Sequence, residues 1–357
     1  MDEQKDTLGM LDLILRPGFT VENQRIIKVN QAAQGYFLSE GMDLMPLLLT
    51  GAEEYASFSG GCLFLTLSLG CRALGASVIR MGSSDVFLLE QEADTRELAS
   101  LALAARELRE PLAGVMAMTG DLLPLAAMQE DPRAQNQAAR LNRSLLQLLR
   151  IIGNMSDANR YAGGSRQEVV AISRELDEIF EKLQTLVAHT GIRLTYTGLQ
   201  ESIYCLADKE QLERAVLNIL SNAIKFTPKD GAIEASLTRS GRMLRLSVVD
   251  TGAGIEESVR ANVFHRYLRQ LTIEDSRCGI GLGMVLIRSA AANHGGTVLI
   301  DHPEDKGTRI TMTMMIRQKP DTILRSSVPR VDYAGGHDHA LLELSESLPL
   351  SLYTPEK

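Results

Sequence analysis

The chain has no apolar run approaching the about 18 residues that a membrane-spanning helix needs, so no span is expected. The best candidate, GCLFLTLSLGC (Gly61–Cys71), is short and is closed by Arg72. Its leucines alternate (Leu63, Leu65, Leu67, Leu69), which predicts a half-buried strand. The first residues, MDEQKDTLG, lack the basic and apolar regions of a secretory signal. Cys62, Cys71, Cys205 and Cys278 form no CxxC pair and no other metal-ligand spacing, so free thiols in a reducing cytoplasm are expected. An excess of positive charge is missing too. Lys and Arg total 37 against 45 Asp and Glu, a net charge of −8 that argues against a nucleic-acid binder while leaving room for a local phosphate pocket.

What is present is ordinary soluble-protein material: 357 residues, 45% hydrophobic and 23% charged, enough for two or three domains with cores of their own. Residues 10–92 mix short strand-like runs with glycine-rich turns. IIKVNQAAQGYFLSEGMDLMPLL (Ile26–Leu48) is followed by the alternating strand and by ASVIRM (Ala76–Met81) and DVFLLEQ (Asp85–Gln91). A strand, small helices and then antiparallel strands suggest a compact α+β module. Through I-I-x-x-N-x-A-A-x-x-x-F (Ile26–Phe37) it resembles a PAS sensor domain; an unrelated small α/β domain would share the same features.

Residues 93–165 change character. Leu98, Leu101, Ala105, Leu108, Leu112, Val115, Thr119 and Leu122 recur at steps of three and four, and Ala138, Leu141, Leu145, Leu148, Ile152 and Met155 resume the pattern. These are the a and d positions of two helices joined by a turn. Each stripe is too narrow for one hairpin to cover, so a homodimeric four-helix bundle is expected, the alternative being a hairpin packed on a neighbouring domain of its own chain.

Four separated motifs follow in residues 168–318. In ERAVLNILSNAIKFTP (Glu213–Pro228), Asn218, Asn222 and Lys225 fall on one helix face, two amides and an ammonium suited to a hard cation and a phosphate. In LSVVDTGAGI (Leu246–Ile255), a strand ends at Asp250, an acceptor for an exocyclic amine such as adenine's, and Gly252 and Gly254 permit close backbone approach. VFHRYLRQ (Val263–Gln270) adds an aromatic with Arg266 and Arg269 before a polar loop. CGIGLGMVLIRSAAANHGG (Cys278–Gly296) is a glycine-rich turn opening a helix, with Gly279, Gly281, Leu282 and Gly283 where phosphate is favoured. Any one of these is weak evidence. Together, in this order, they resemble the N, G1, F and G2 boxes of the GHKL ATPase superfamily and, within it, of sensor histidine kinases. The resemblance spans about Ala207 to Ile316. It implies ATP and Mg²⁺ as cofactors, Asn222 as the Mg²⁺ ligand, Asn218 and Lys225 close to the phosphates, Asp250 reading adenine, and Leu268–Cys278 as the lid over ATP. Gyrase, Hsp90 and MutL-type members carry a glutamate at the place of Asn218 to activate water. An amide cannot act as that base, so fast hydrolysis is not expected.

The hairpin departs from the family. ARELREPLAG (Ala105–Gly114) resembles the H box H-E-L-R-T/N-P-L and keeps Glu107, Leu108, Arg109, Pro111 and Leu112, but the phosphoacceptor position is Arg106. A guanidinium stays protonated and has no lone pair to take a phosphoryl group. The Thr or Asn that the family uses four residues later is Glu110, which could pair weakly with Arg106. No histidine lies in the hairpin.

The expected fold is therefore multi-domain α+β. It comprises a PAS-like sensor (10–92), an antiparallel two-helix dimerisation hairpin (93–165), a GHKL α/β sandwich ATP-binding domain (168–318) and a loose tail (319–357), in which the histidines of GHDH (Gly336–His339) are solvated. The implied protein is a cytoplasmic homodimer of the histidine kinase type, working in two-component signal transduction as a nucleotide-gated regulator. Its partner would be a response regulator or another histidine kinase, with neither nucleic acid nor a membrane span involved. Two further readings stay open: a kinase that phosphorylates a histidine of a partner in trans, and a serine-directed GHKL kinase.

Overall fold

A computed structural model describes residues 16–120, 122, 124, 131–162, 166–255, 282–303, 307–317, 334 and 336–354. The N-terminal unit has strands β1 (Gly18–Glu22) and β2 (Arg25–Val29), a short helix α1 (Ala52–Ser57), and then β3 (Cys62–Leu69), β4 (Arg72–Met81) and β5 (Ser84–Leu89). Its antiparallel sheet runs β2-β1-β5-β4-β3 over a core that includes Phe19, Leu44, Tyr55 and Phe87. Buried Asn30 ends β2 by accepting from the amides of Gly18 (3.0 Å) and Ala33 (3.0 Å).

Two long helices follow, α2 (Glu92–Gly120) and α3 (Pro132–Ala162), packed on each other. Then come β6 (Glu168–Ala171), α4 (Ile172–Ala188), β7 (Arg193–Thr197), β8 (Tyr204–Ala207), α5 (Lys209–Phe226), β9 (Ala232–Ser240), β10 (Met243–Asp250), α6 (Gly283–Asn293), β11 (Val298–Asp301) and β12 (Arg309–Met315). β6 and β8 form a separate ribbon. The others continue the sheet in the order β11-β12-β10-β9-β7, and α4, α5 and α6 share a core with it. On α4 the stripe Leu176, Ile179, Phe180, Leu183 and Val187 is buried. Burying each such side chain contributes about 1.5–3 kcal/mol relative to exposure.

The alternating strand is the point where expectation and structure part. Leu63, Leu65, Leu67 and Leu69 do face the N-terminal core. The other side of β3 is covered only at its start, where Cys62 and Phe64 enter the C-terminal core, and is half-exposed at Thr66 and Ser68 as the alternation predicts. The reason is that β3 pairs with β11 (Phe64 with Val298, Leu63 with Leu299, Cys62 with Ile300), joining the two sheets into one of ten strands. An ion pair reinforces this joint, with buried Arg288 of α6 2.7 Å from the half-buried Glu90 and lying over the ring of Phe64.

The heptad stripes divide in two. Leu98, Ala105, Leu112, Ala138, Leu145, Ile152 and Met155 are buried in a cluster that α6 completes with Leu282, Val285 and Leu286. Leu108, Val115, Leu122, Leu141 and Leu148 are exposed, Leu108 and Leu148 each at 49%. Leu101 and Thr119 are half-buried, so part of the apolar pattern is met within the chain and part is left on the surface.

The tail is a correction. Residues 339–343 form a short helix, α7 (His339–Glu343), followed by a 3₁₀ turn at Leu350–Tyr353. Ala340, Leu342, Leu344, Leu348 and Tyr353 belong to the C-terminal core. The GHDH stretch is the capped start of this helix: Asp338 accepts from the Leu341 amide (3.0 Å) and pairs with Lys182 (2.5 Å), while His339 meets Glu213 (2.9 Å). Apolar spacing too short to stand out in a polar stretch is enough when a preformed surface receives it. Among the described residues no helix is long and apolar enough to cross a membrane, and no group of acidic, His and Cys side chains could hold a metal.

Candidate functional site

The site is built where α5 meets α6 and the end of β10. α5 starts at Asp208, whose side chain caps the Gln211 amide (3.2 Å), a contact worth about 1 kcal/mol. The same residue's N–H donates to His294 Nε2 (2.9 Å) at the far end of α6. That leaves His294 Nδ1 as the protonated nitrogen, donating to the Ala290 carbonyl (2.6 Å). Burial holds this imidazole's pKa below its ordinary value. Asn293 donates to Gln211 (3.1 Å), so α5 and α6 run against each other, start to end.

At the other end of this pair the N-box and G2-box residues meet. Asn218 is buried, and its Nδ2 donates to the Arg214 carbonyl (2.8 Å). Its Oδ1 lies 2.8 Å from where a Cβ on Gly283 would sit, so any larger residue there must displace the Asn218 side chain. Asn222 is half-buried and makes one weak polar contact, from Nδ2 to the Met284 sulfur (3.8 Å). The N-cap of α6 is Leu282, which offers no side-chain acceptor, so among the described residues the first-turn amides have no side-chain cap. An anion suits that position. Lys225, on the last turn of α5, is met by Glu346 of the tail (3.2 Å).

The G1-box residues close the third side. Asp250 is buried at the end of β10 and accepts through Oδ1 from the amides of Gly252 (2.8 Å) and Thr308 (3.2 Å). Its Oδ2 accepts no hydrogen bond among the described residues, as a reader of an exocyclic amine requires. Burial pushes its carboxyl above the ordinary carboxylate range, while the two amides pull it back. Gly252 passes so close to the Phe226 carbonyl that a Cβ there would collide, and Gly254 sits at φ +80°. His302 braces this loop, its ring nitrogens 2.8 Å from the Gly307 carbonyl and 3.1 Å from that of Ile255.

The structure thus sets Asn218 against Gly283 and Asn222 against Met284, and places Gly252 beside both Asp250 and the Phe226 carbonyl at the end of α5, the turn that carries Lys225. Arg269, Gly279 and Gly281, with the F box and the lid, lie outside the described residues. The motifs missed Thr308, His302 and Glu346, because each reaches the site from a strand or tail remote in sequence. On the hairpin, Arg106, Glu107 and Glu110 of α2 are all exposed, and Pro111 lies within the helix, where it can return no N–H to the Glu107 carbonyl.

Residues 207–318 match the family described as "Histidine kinase-, DNA gyrase B-, and HSP90-like ATPase". The chain is also similar to sensor kinases. It is 25% identical over 198 residues to the sensor protein KdpD of Clostridium acetobutylicum, covering 54% of this chain and 22% of that protein. It is 27% identical over 250 residues to the adaptive-response sensory kinase SasA of Synechocystis sp., covering 66% and 64%. It is 29% identical over 234 residues to the circadian input-output histidine kinase CikA of Synechococcus elongatus, covering 64% and 31%. The chain therefore spans between 22% and 64% of the length of these relatives.

Proposed function

Given a histidine kinase-type ATPase domain at residues 207–318, we propose that this chain is a histidine kinase-like signalling protein that binds Mg-ATP and cannot autophosphorylate at its H box. One contrast carries the reading. Contacts of Asn218 with Gly283 and of Gly252 with Asp250 support a nucleotide site, yet the exposed position on α2 that aligns with the family's acceptor is Arg106. A guanidinium cannot take the γ-phosphoryl group.

The residues fit the nucleotide. Asp250 Oδ2 would take the adenine amine, Asn222 would supply an oxygen to Mg²⁺, and the start of α6 with Lys225 would receive phosphate charge. When bound, ATP supplies a transferable phosphoryl group and a charge that orders the site. This chain's part is to hold it, and with Asn218 in place of a carboxylate, no base activates water there. The N-terminal unit serves as a PAS-like sensor, and the exposed leucines of α2 and α3 serve as the face of a homodimeric bundle. Such a protein responds to nucleotide by changing shape, with a response regulator or an intact kinase as the recipient of the signal.

Incubation with radiolabelled ATP tests this. The natural chain should bind Mg-ATP by calorimetry and acquire no acid-labile, base-stable phosphate; label on any of its histidines overturns the reading. Arg106→His then separates two uses of the bound nucleotide. Label on the restored histidine favours transfer to a partner's histidine in trans. ATP bound without label favours a nucleotide-gated scaffold.

A further inference from the structure

The C-terminal segment is seated on the site's cation. Glu346 lies 3.2 Å from Lys225, the lysine that the proposed function gives to phosphate, and 3.4 Å from Arg150 of α3. The contact is built from both sides. Glu343, 0% exposed, accepts from Arg150 (3.2 Å) on the hairpin and from Arg214 (3.0 Å) on α5, so one carboxylate ties two domains. Arg214 also meets Asp157 and Asn154 of α3. Along the strap, Arg143 donates to the carbonyls of Ser345 (2.7 Å) and Glu346 (3.2 Å), and Gln147 donates to that of Ser345 (3.1 Å). Ser347 donates to the Ser221 carbonyl on α5 (3.1 Å). The groove between α3 and α5 is basic and the segment ELSES (Glu343–Ser347) is acidic, so charge and shape agree.

We propose that residues 336–354 are an internal acidic ligand of the groove between α3 and α5, and that they compete with Mg-ATP by holding Lys225 on Glu346. This rests on the reading that the site binds Mg-ATP. With the strap seated, Lys225 is neutralised by a carboxylate, and a phosphate group arriving at the same ammonium meets Glu346 as a like charge. Nucleotide affinity is then scaled by the fraction of molecules whose strap is released. Conversely, bound nucleotide loosens the strap, and with it the Glu343 tie between the hairpin and the ATP-binding domain.

The test uses the full chain. Mg-ATP affinity is measured by calorimetry for the natural protein, for Glu346→Gln, and for Glu201→Gln, which removes the same charge from an exposed pair with Arg239 far from the site. Amide exchange of residues 341–348 is followed with and without saturating Mg-ATP. The expected result is three- to tenfold tighter binding for Glu346→Gln alone, with exchange in the strap rising when nucleotide binds. Equal affinity within twofold, or strap protection unchanged by bound Mg-ATP, overturns the competition while leaving nucleotide binding intact. Absence of binding in all three proteins overturns the Mg-ATP reading itself, and the competition falls with it.

Discussion

Helices α5 and α2 each carry polar side chains at helical spacing, amides among them on α5 and charged groups on both, and the fold treats them in opposite ways. On α5, Arg214, Asn218 and Ser221 are buried, and each is bonded to a neighbouring element or to its own helix. On α2, Arg106, Glu107, Arg109 and Glu110 stand in water. A buried polar group without a partner is costly, so the set on α5 survives only because the surroundings satisfy it. The set on α2 is solvated whatever it is, so its identities are free to change the chemistry without disturbing the fold. The exposed residues of α2 can therefore vary while the elements around Asn218 stay assembled.

The largest effect expected is at the buried charges of α5. Glu343→Ala leaves Arg150 and Arg214 without a shared carboxylate and should lower stability by about 3 kcal/mol, read from urea unfolding. A loss under about 1 kcal/mol would mean that Asp157 alone can hold Arg214.

Next comes the ligand reader. Asp250→Asn keeps the shape and removes the carboxylate, and Mg-ATP affinity should fall roughly a hundredfold by calorimetry. The acceptor carboxylate exists above its folded-state pKa and is lost as pH falls through it. Because burial raises that pKa, binding should begin to weaken on acidification above the ordinary carboxylate range, in a way Asp250→Asn does not share. An identical pH profile in both proteins would remove Asp250 from the recognition step.

On the exposed side of the hairpin the effect should be on association. Leu108→Glu places a charge on the unpartnered stripe and should weaken a dimer about tenfold in sedimentation equilibrium, with unfolding of the monomer almost unchanged because Leu108 is already 49% exposed. A dimer of undiminished affinity would put the bundle face elsewhere. The smallest effect is Arg106→Ala: being exposed, it should shift stability by less than about 0.5 kcal/mol and leave Mg-ATP affinity as it was. A large change in either would show that α2 is not the inert surface this contrast makes it.

Much of the site could be read along the chain because its signals are local. Asn218, Asn222 and Lys225 share a face through helical periodicity alone, Asp250 ends an alternating strand, and Gly252, Gly254 and Gly283 mark backbone approaches that any side chain would block. The heptads of α2 and α3 likewise announced two helices. They could not say which apolar positions are covered, since the buried Ala105 and Leu112 and the exposed Leu108 and Val115 obey one spacing. The cluster that holds Ala105 and Leu112 is completed by Leu282, Val285 and Leu286, from a helix far along the chain.

The amino-acid order by itself determined the helices, the strands, the glycine and amide motifs of the candidate site and the arginine at position 106, because each of these rests on spacing within one element or on the identity of one side chain. Only the tertiary structure decided that β3 would pair with β11, that Arg288 would find Glu90, and that a polar tail would dock Glu343 between Arg150 and Arg214 with Glu346 on Lys225. Those contacts join residues far apart in the chain, where no periodicity links the partners. Edge strands and buried charges specify only that some partner is needed, and the packed surface chooses which one.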